Sequence, residues 1–122
     1  MKTKNEYTML EVENIQGPLM DLDHILGEEK FNLDSILDKT MLDSEKIKEV
    51  RKILLKVSKY ELNLINIKGK LPNSDEMKIL TEQLNIQIVE TVLRSCLRQS
   101  KEIIKKCNEY LSAESSVENV LN

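Results

Sequence analysis

The stretch that decides the fold runs from residue 50 to residue 71 and reads VRKILLKVSKYELNLINIKGKL. Apolar residues recur in it at alternating steps of three and four positions: Val50, Ile53, Val57, Tyr60, Leu64, Ile67 and Leu71. This heptad spacing predicts a helix with one apolar stripe. A second apolar set lies beside that stripe and comprises Ile47, Leu54, Leu55, Leu62 and Ile65. The wider apolar arc favours a helical bundle over a two-stranded coiled coil.

Boundary signals around this stretch predict a helical hairpin. Ser44 is a candidate N-cap, and Gly69 and Pro72 are expected to end the helix near residue 68. The short connection makes the next helix antiparallel to the first. That helix is expected over 74–111, where Gly and Pro are absent, either as one helix or as two that meet near 94–100. Its heptad row comprises Val89, Leu93, Cys96, Ser100, Ile103, Cys107 and Tyr110.

The N-terminal third differs from this body in charge. Residues 1–43 carry four lysines against ten acidic residues. Pro18 and Gly27 bound one short predicted helix at 18–26, and a second is predicted at 32–42. We therefore expect an all-α protein, bundle-like or coiled-coil-like, in which a long antiparallel hairpin follows two short helices. The acidic segment could pack on the hairpin or bind a partner.

Three regions follow from these patterns: an acidic segment at 1–43, a hairpin body at 44–111 and a polar tail at 112–122. The first hairpin helix is roughly 20 Å shorter than the second at 1.5 Å per residue. An apolar overhang would then lack a mate within the hairpin. Because exposed aliphatic side chains are costly, either the N-terminal helices or another chain is expected to cover it, and another chain is favoured. The candidate protein-interface residues are Phe31, Leu33, Ile36, Leu37, Met41, Leu93, Cys96, Leu97, Ile103, Ile104 and Cys107.

Catalytic and metal-binding patterns are not evident in the sequence. His24 is the only histidine, and the two cysteines lie eleven residues apart, roughly 16 Å along one helix. That separation prevents a disulfide within the helix. We expect no catalytic residue, no cofactor and no metal site.

These patterns predict a class of function. The prediction is a non-catalytic helical subunit or adaptor that enters a hetero- or homo-oligomer through its aliphatic stripe. The alternative is a compact monomeric recognition domain, or small regulator, that binds peptide segments. Direct nucleic-acid binding is not expected, because lysines and glutamates alternate in the body. With no signal-peptide pattern and no long apolar run, a cytoplasmic or nuclear location is expected.

Overall fold

A computed structural model describes residues 6–121, with side chains through residue 114. Three long helices account for most of it: α1 at Met9–Asp38, α2 at Asp43–Lys70 and α3 at Leu80–Leu121. A short 3-10 helix at Ser74–Glu76 lies between α2 and α3. The described residues form no strand, so the all-α prediction is confirmed.

Helices α1 and α3 run parallel and in register. Four side-chain contacts join residues 72 positions apart: Asn85 to Glu13, Ser95 to Asp23, Lys30 to Glu102 and Lys106 to Asp34. Helix α2 runs the opposite way. Its last residue, Lys70, accepts a backbone hydrogen bond from Tyr7 just before α1 at 2.8 Å. Near its start, Lys46 Nζ donates to the carbonyl oxygen of Leu37.

The prediction of two short N-terminal helices is wrong, because α1 is one continuous helix that contains Pro18. Helix α1 is continuous because an apolar row follows its whole length, although its glycines and its proline are boundary signals in the sequence. Val12, Leu19, Leu26 and Leu33 are seven residues apart and all almost fully buried. Burial of four such side chains contributes roughly 6–12 kcal/mol. This exceeds the roughly 5 kcal/mol expected for one proline and two glycines in a helix interior.

The core forms around α3, against which both other helices pack. The residues of α3 that face the other two helices form a row that we call the seam. It is buried along most of the helix and comprises Ile86, Val89, Leu93, Cys96, Ser100, Ile103 and Cys107. Helix α2 contributes the predicted stripe, of which Val50, Val57 and Leu64 are fully buried. The result is a three-helix bundle with α3 at its centre.

Several helix boundaries differ from the prediction. Helix α2 continues through Gly69, where φ is not positive. Asn73 caps the 3-10 helix by accepting from the Asp75 amide, so the last helix starts at Leu80 and not at residue 74. It continues unbroken through 94–100 and extends into the predicted tail.

Candidate interaction surfaces

The predicted interface residues are distributed over three environments. Leu33, Leu93, Cys96, Ile103 and Cys107 are buried in the core. Half-buried positions are Ile36, Leu37, Met41, Leu97 and Ile104. Phe31 is the exception, since 73% of it is exposed. The expected overhang without a mate is therefore wrong: α1 is long enough to cover α3 where two short helices were expected.

Both cysteines are fully buried free thiols. Burial raises the pKa of Cys107 to about 11. Burial, together with the nearby Asp23 carboxylate, raises the pKa of Cys96 to about 11 as well. Because the thiolate is the reactive form, neither side chain is suited to nucleophilic or redox chemistry at neutral pH.

A polar cluster lies between α1 and α3, around the carboxylate of Asp23. Ser95 Oγ donates to Asp23 Oδ1 at 2.8 Å, and Gln99 Nε2 donates to the same oxygen. The thiol of Cys96 lies 3.6 Å from the carbonyl oxygen of Leu19. Polar contacts of this kind are satisfied in only one alignment, so the cluster fixes the register of the two helices. No local sequence pattern indicates this cluster, because its partners are more than 70 residues apart.

An ion pair connects α1 and α2 at the edge of the core. Lys56 Nζ donates to Glu29 Oε1 at 2.8 Å, and Glu29 is only 8% exposed. This hydrogen bond to Glu29 raises the pKa of Lys56. Glu29 occupies a seam position of α1, seven residues after Leu22 and seven before Ile36, which is why an acidic residue is buried there.

A groove of about 620 Å³ extends from this pair between α1 and α2. These two helices pack on each other less extensively than either packs on α3. Two predicted interface residues, Ile36 and Met41, line the groove, together with charged side chains that include Lys48 and Glu49. The groove is therefore amphipathic and not an enclosed apolar pocket.

The outer face of α2 carries a row of exposed aliphatic side chains, which we call the α2 row. It consists of Leu55, Leu62 and Ile65, which are 66%, 68% and 51% exposed. The prediction that these residues widen the buried arc is wrong for all three. Their neighbours Ile47 and Leu54 are half-buried. The physical reason is that α1 and α3 both pack against the stripe, which leaves the outer flank without a helix.

A second exposed apolar row begins α3. Leu80, Leu84 and Ile88 follow at steps of four and therefore share one helix face, with Ile79 just before them. All four are more than two-fifths exposed.

A cavity of about 400 Å³ lies between the end of α2 and the middle of α3. Leu71, Leu93 and Leu97 give it an apolar lining, to which Lys68 and Arg94 add positive charge and Glu90 adds one negative charge. This composition suits an aliphatic side chain that enters from a partner.

No protein-family model, curated protein or solved structure matches the chain. Among the described residues, no helix is both long enough and apolar enough to cross a membrane. Over the same residues, no group of three His, Cys, Asp or Glu side chains is arranged to hold a metal ion.

Proposed function

We propose that this protein is a non-catalytic helical subunit or adaptor that binds another protein through exposed aliphatic rows. The observation that carries the proposal is the α2 row. Three large aliphatic side chains at helical spacing, each at least half exposed, form a surface that water solvates poorly. Burying each against a partner would contribute about 1.5–3 kcal/mol. Contiguous apolar surface of this kind is typical of binding sites.

The completeness of the core supports the same proposal. The core is complete without the α2 row, since the seam residues of all three helices are covered within the chain. The exposed residues are therefore not needed for folding. The buried thiols, whose raised pKa keeps them protonated, are in keeping with a non-catalytic role.

A compact monomeric recognition domain is the second candidate. The cavity between α2 and α3 favours it, because an apolar lining with two cationic residues and one acidic residue could receive a peptide side chain. In that case the protein stays a monomer, and its partner contributes a short segment in place of a whole subunit.

The test compares two charge insertions on α2. Leu62→Glu with Ile65→Glu places two charges in the α2 row. The matched control, Asn63→Glu with Asn66→Glu, places the same charges on exposed neighbours. Each tagged variant is expressed in the native source, and the proteins that co-purify with it are quantified by mass spectrometry.

We expect the first variant to lose the proteins that co-purify with the wild type and the control to retain them. Circular dichroism should give the same melting temperature for both. Equal retention by the two variants would count against the α2 row as the binding surface. Light scattering of the co-purified complex then separates the two candidates, because a whole partner subunit adds more mass than a short segment.

A further inference from the structure

The outward side of α1 combines apolar residues with exposed acidic residues, one of which, Glu28, pairs with His24. Leu10, Gly17, His24 and Phe31 are seven residues apart and so follow one line along the helix. Leu10 and Phe31 are the most exposed apolar side chains of α1, at 66% and 73%. Helix α1 carries eight acidic residues and one basic residue, Lys30. We call this surface the acidic face; three exposed carboxylates on it are Asp21, Glu28 and Asp38.

The surface shared by α2 and α3 has the opposite character. Arg94, Arg98, Lys101 and Lys105 follow at steps of four, three and four, and all four are exposed. None of them forms an ion pair with another residue of the described chain. The cavity that Arg94 lines also includes Lys68 of α2, which lies one helical turn after Ile65 of the α2 row. We call the two rows together the basic face.

The two faces cannot meet within one molecule. Helix α1 contacts α3 through other positions, among them Glu13, Asp23 and Asp34. In a three-helix bundle, the outward line of one helix and the surface shared by the other two lie on different sides. Two copies of the chain can nevertheless bring the faces together, with Phe31 opposite the α2 row.

We propose that the acidic face of one copy docks on the basic face of a second copy. This inference rests on the proposed function and names the partner as the chain itself. The two faces are complementary in charge, and each has exposed apolar side chains. Complementary charge steers association and excludes wrong alignments, while the buried aliphatic side chains supply affinity.

Other partners for the basic face fit less well. A nucleic acid would use the basic row but would leave Leu55, Leu62 and Ile65 in water. A membrane surface is flat, whereas the basic face includes a cavity of about 400 Å³. An acidic amphipathic helix satisfies both the charge and the apolar row, and α1 is such a helix.

The contact joins two different patches and is therefore heterologous. Each copy would retain one free acidic face and one free basic face, so assembly continues head to tail as concentration rises. Because exposed charges contribute, association should weaken at high ionic strength. A closed two-fold dimer does not follow from this arrangement.

The experiment is a charge swap on the full chain. Variant B− carries Arg98→Glu, Lys101→Glu and Lys105→Glu in the basic face. Variant A+ carries Asp21→Lys, Glu28→Lys and Asp38→Lys in the acidic face. Sedimentation velocity follows each variant, the wild type and an equimolar mixture of the two variants at low salt. If either triple variant fails to fold, as judged by circular dichroism, the corresponding Gln or Asn substitutions replace it.

We expect the wild type to associate and each variant alone to remain a monomer, with a dissociation constant raised at least tenfold. The mixture should associate again, because every contact in it pairs opposite charges. With neutralised variants, each variant alone should associate at least tenfold more weakly, and the mixture should form one-to-one dimers through the one contact whose two faces are both unchanged. A wild type that stays monomeric at millimolar concentration overturns the inference, as does a reversed-charge mixture that stays monomeric.

Binding of the wild type to duplex DNA or to vesicles of anionic lipid, without self-association, would also overturn it. The outcome for the proposed function can be told apart from the outcome for self-association. A monomeric wild type that still loses its co-purifying proteins when Leu62 and Ile65 are changed would retain the adaptor role and remove only the second copy.

Discussion

The seam of α3 and the outer row of α2 contain the same kinds of residue at the same kind of spacing, yet one is buried and the other is exposed. Ile103 of the seam is fully buried, whereas Leu62 of the α2 row is 68% exposed. The seam lies between two helices, and the α2 row lies on a flank that no helix covers. Aliphatic periodicity therefore shows that a helix face is apolar, and only the tertiary packing shows what covers it.

The largest expected difference is in the free energy of unfolding. Ile103→Ala should lower it by about 2–5 kcal/mol, because the change removes buried methyl groups and leaves a cavity. Leu62→Ala should change it by less than about 0.5 kcal/mol, as expected for an exposed site without special contacts. Urea titration measures both values. Similar losses for the two variants would mean that the seam and the α2 row are equally buried in solution.

The buried thiols allow a test of the seam by pH. The pKa of each is raised from 9.0 to about 11 in the folded protein. As pH rises, the unfolded chain therefore loses these protons at a lower pH than the folded chain does. The contribution of the two thiols to the free energy of unfolding is intact below pH 9 and declines between pH 9 and pH 11. The expected loss is about 2 kcal/mol per thiol by pH 11. The control is Cys96→Ala with Cys107→Ala, whose unfolding free energy should fall less over this range.

The ion pair of Glu29 and Lys56 tests the edge of the core between α1 and α2. Lys56→Met leaves the carboxylate of Glu29 largely buried without its partner, and we expect a loss of about 1 kcal/mol. This figure is below that of a fully buried pair because the Lys56 side chain is 52% exposed. The double variant with Glu29→Leu should recover the loss. If the double variant is no more stable than the single one, the carboxylate is solvated in the folded state.

The smallest expected effect concerns the exposed side of α1. A Cβ atom added at Gly27 would meet Gln99 Oε1 at 3.8 Å, which is an ordinary van der Waals distance, and no proline follows Gly27. Gly27→Ala should therefore raise the unfolding free energy by about 0.5–1 kcal/mol, since alanine favours the helix and restricts the unfolded chain. Thermal unfolding followed by circular dichroism measures it. A destabilised variant would show that the backbone at Gly27 is not helical.

The sequence predicted the helical class and the seams of α2 and α3, because those rows continue for several heptads without interruption. It did not predict the continuous α1. Gly17, Pro18 and Gly27 are strong boundary signals, and their cost is outweighed only by long-range burial of the row that includes Leu19 and Leu26. Local preference and tertiary packing disagree at this point, and packing prevails.

The candidate surfaces were predicted less well for the same reason. Leu55 and Leu62 were expected in the core and proved exposed, whereas Ile103 and Cys107 were expected at an interface and proved buried. The assignments of Ile103 and Cys107 depended on the length of α1, which decides how much of α3 the chain covers. Those of Leu55 and Leu62 depended on which side of α2 the other two helices pack against. The contact of Asp23 with Ser95 depends on register and has no local sequence signal.

The most direct test of the whole account compares side-chain accessibility on the two regions in one molecule. A Leu62→Cys variant of the native protein is alkylated with iodoacetamide under folding conditions, and peptide mass spectrometry follows the rate at each thiol. We expect position 62 to react like a free thiol and Cys96 and Cys107 to react at least a thousandfold more slowly, only as the chain unfolds. Comparable rates at all three positions would contradict a bundle that buries the α3 seam and exposes the α2 row.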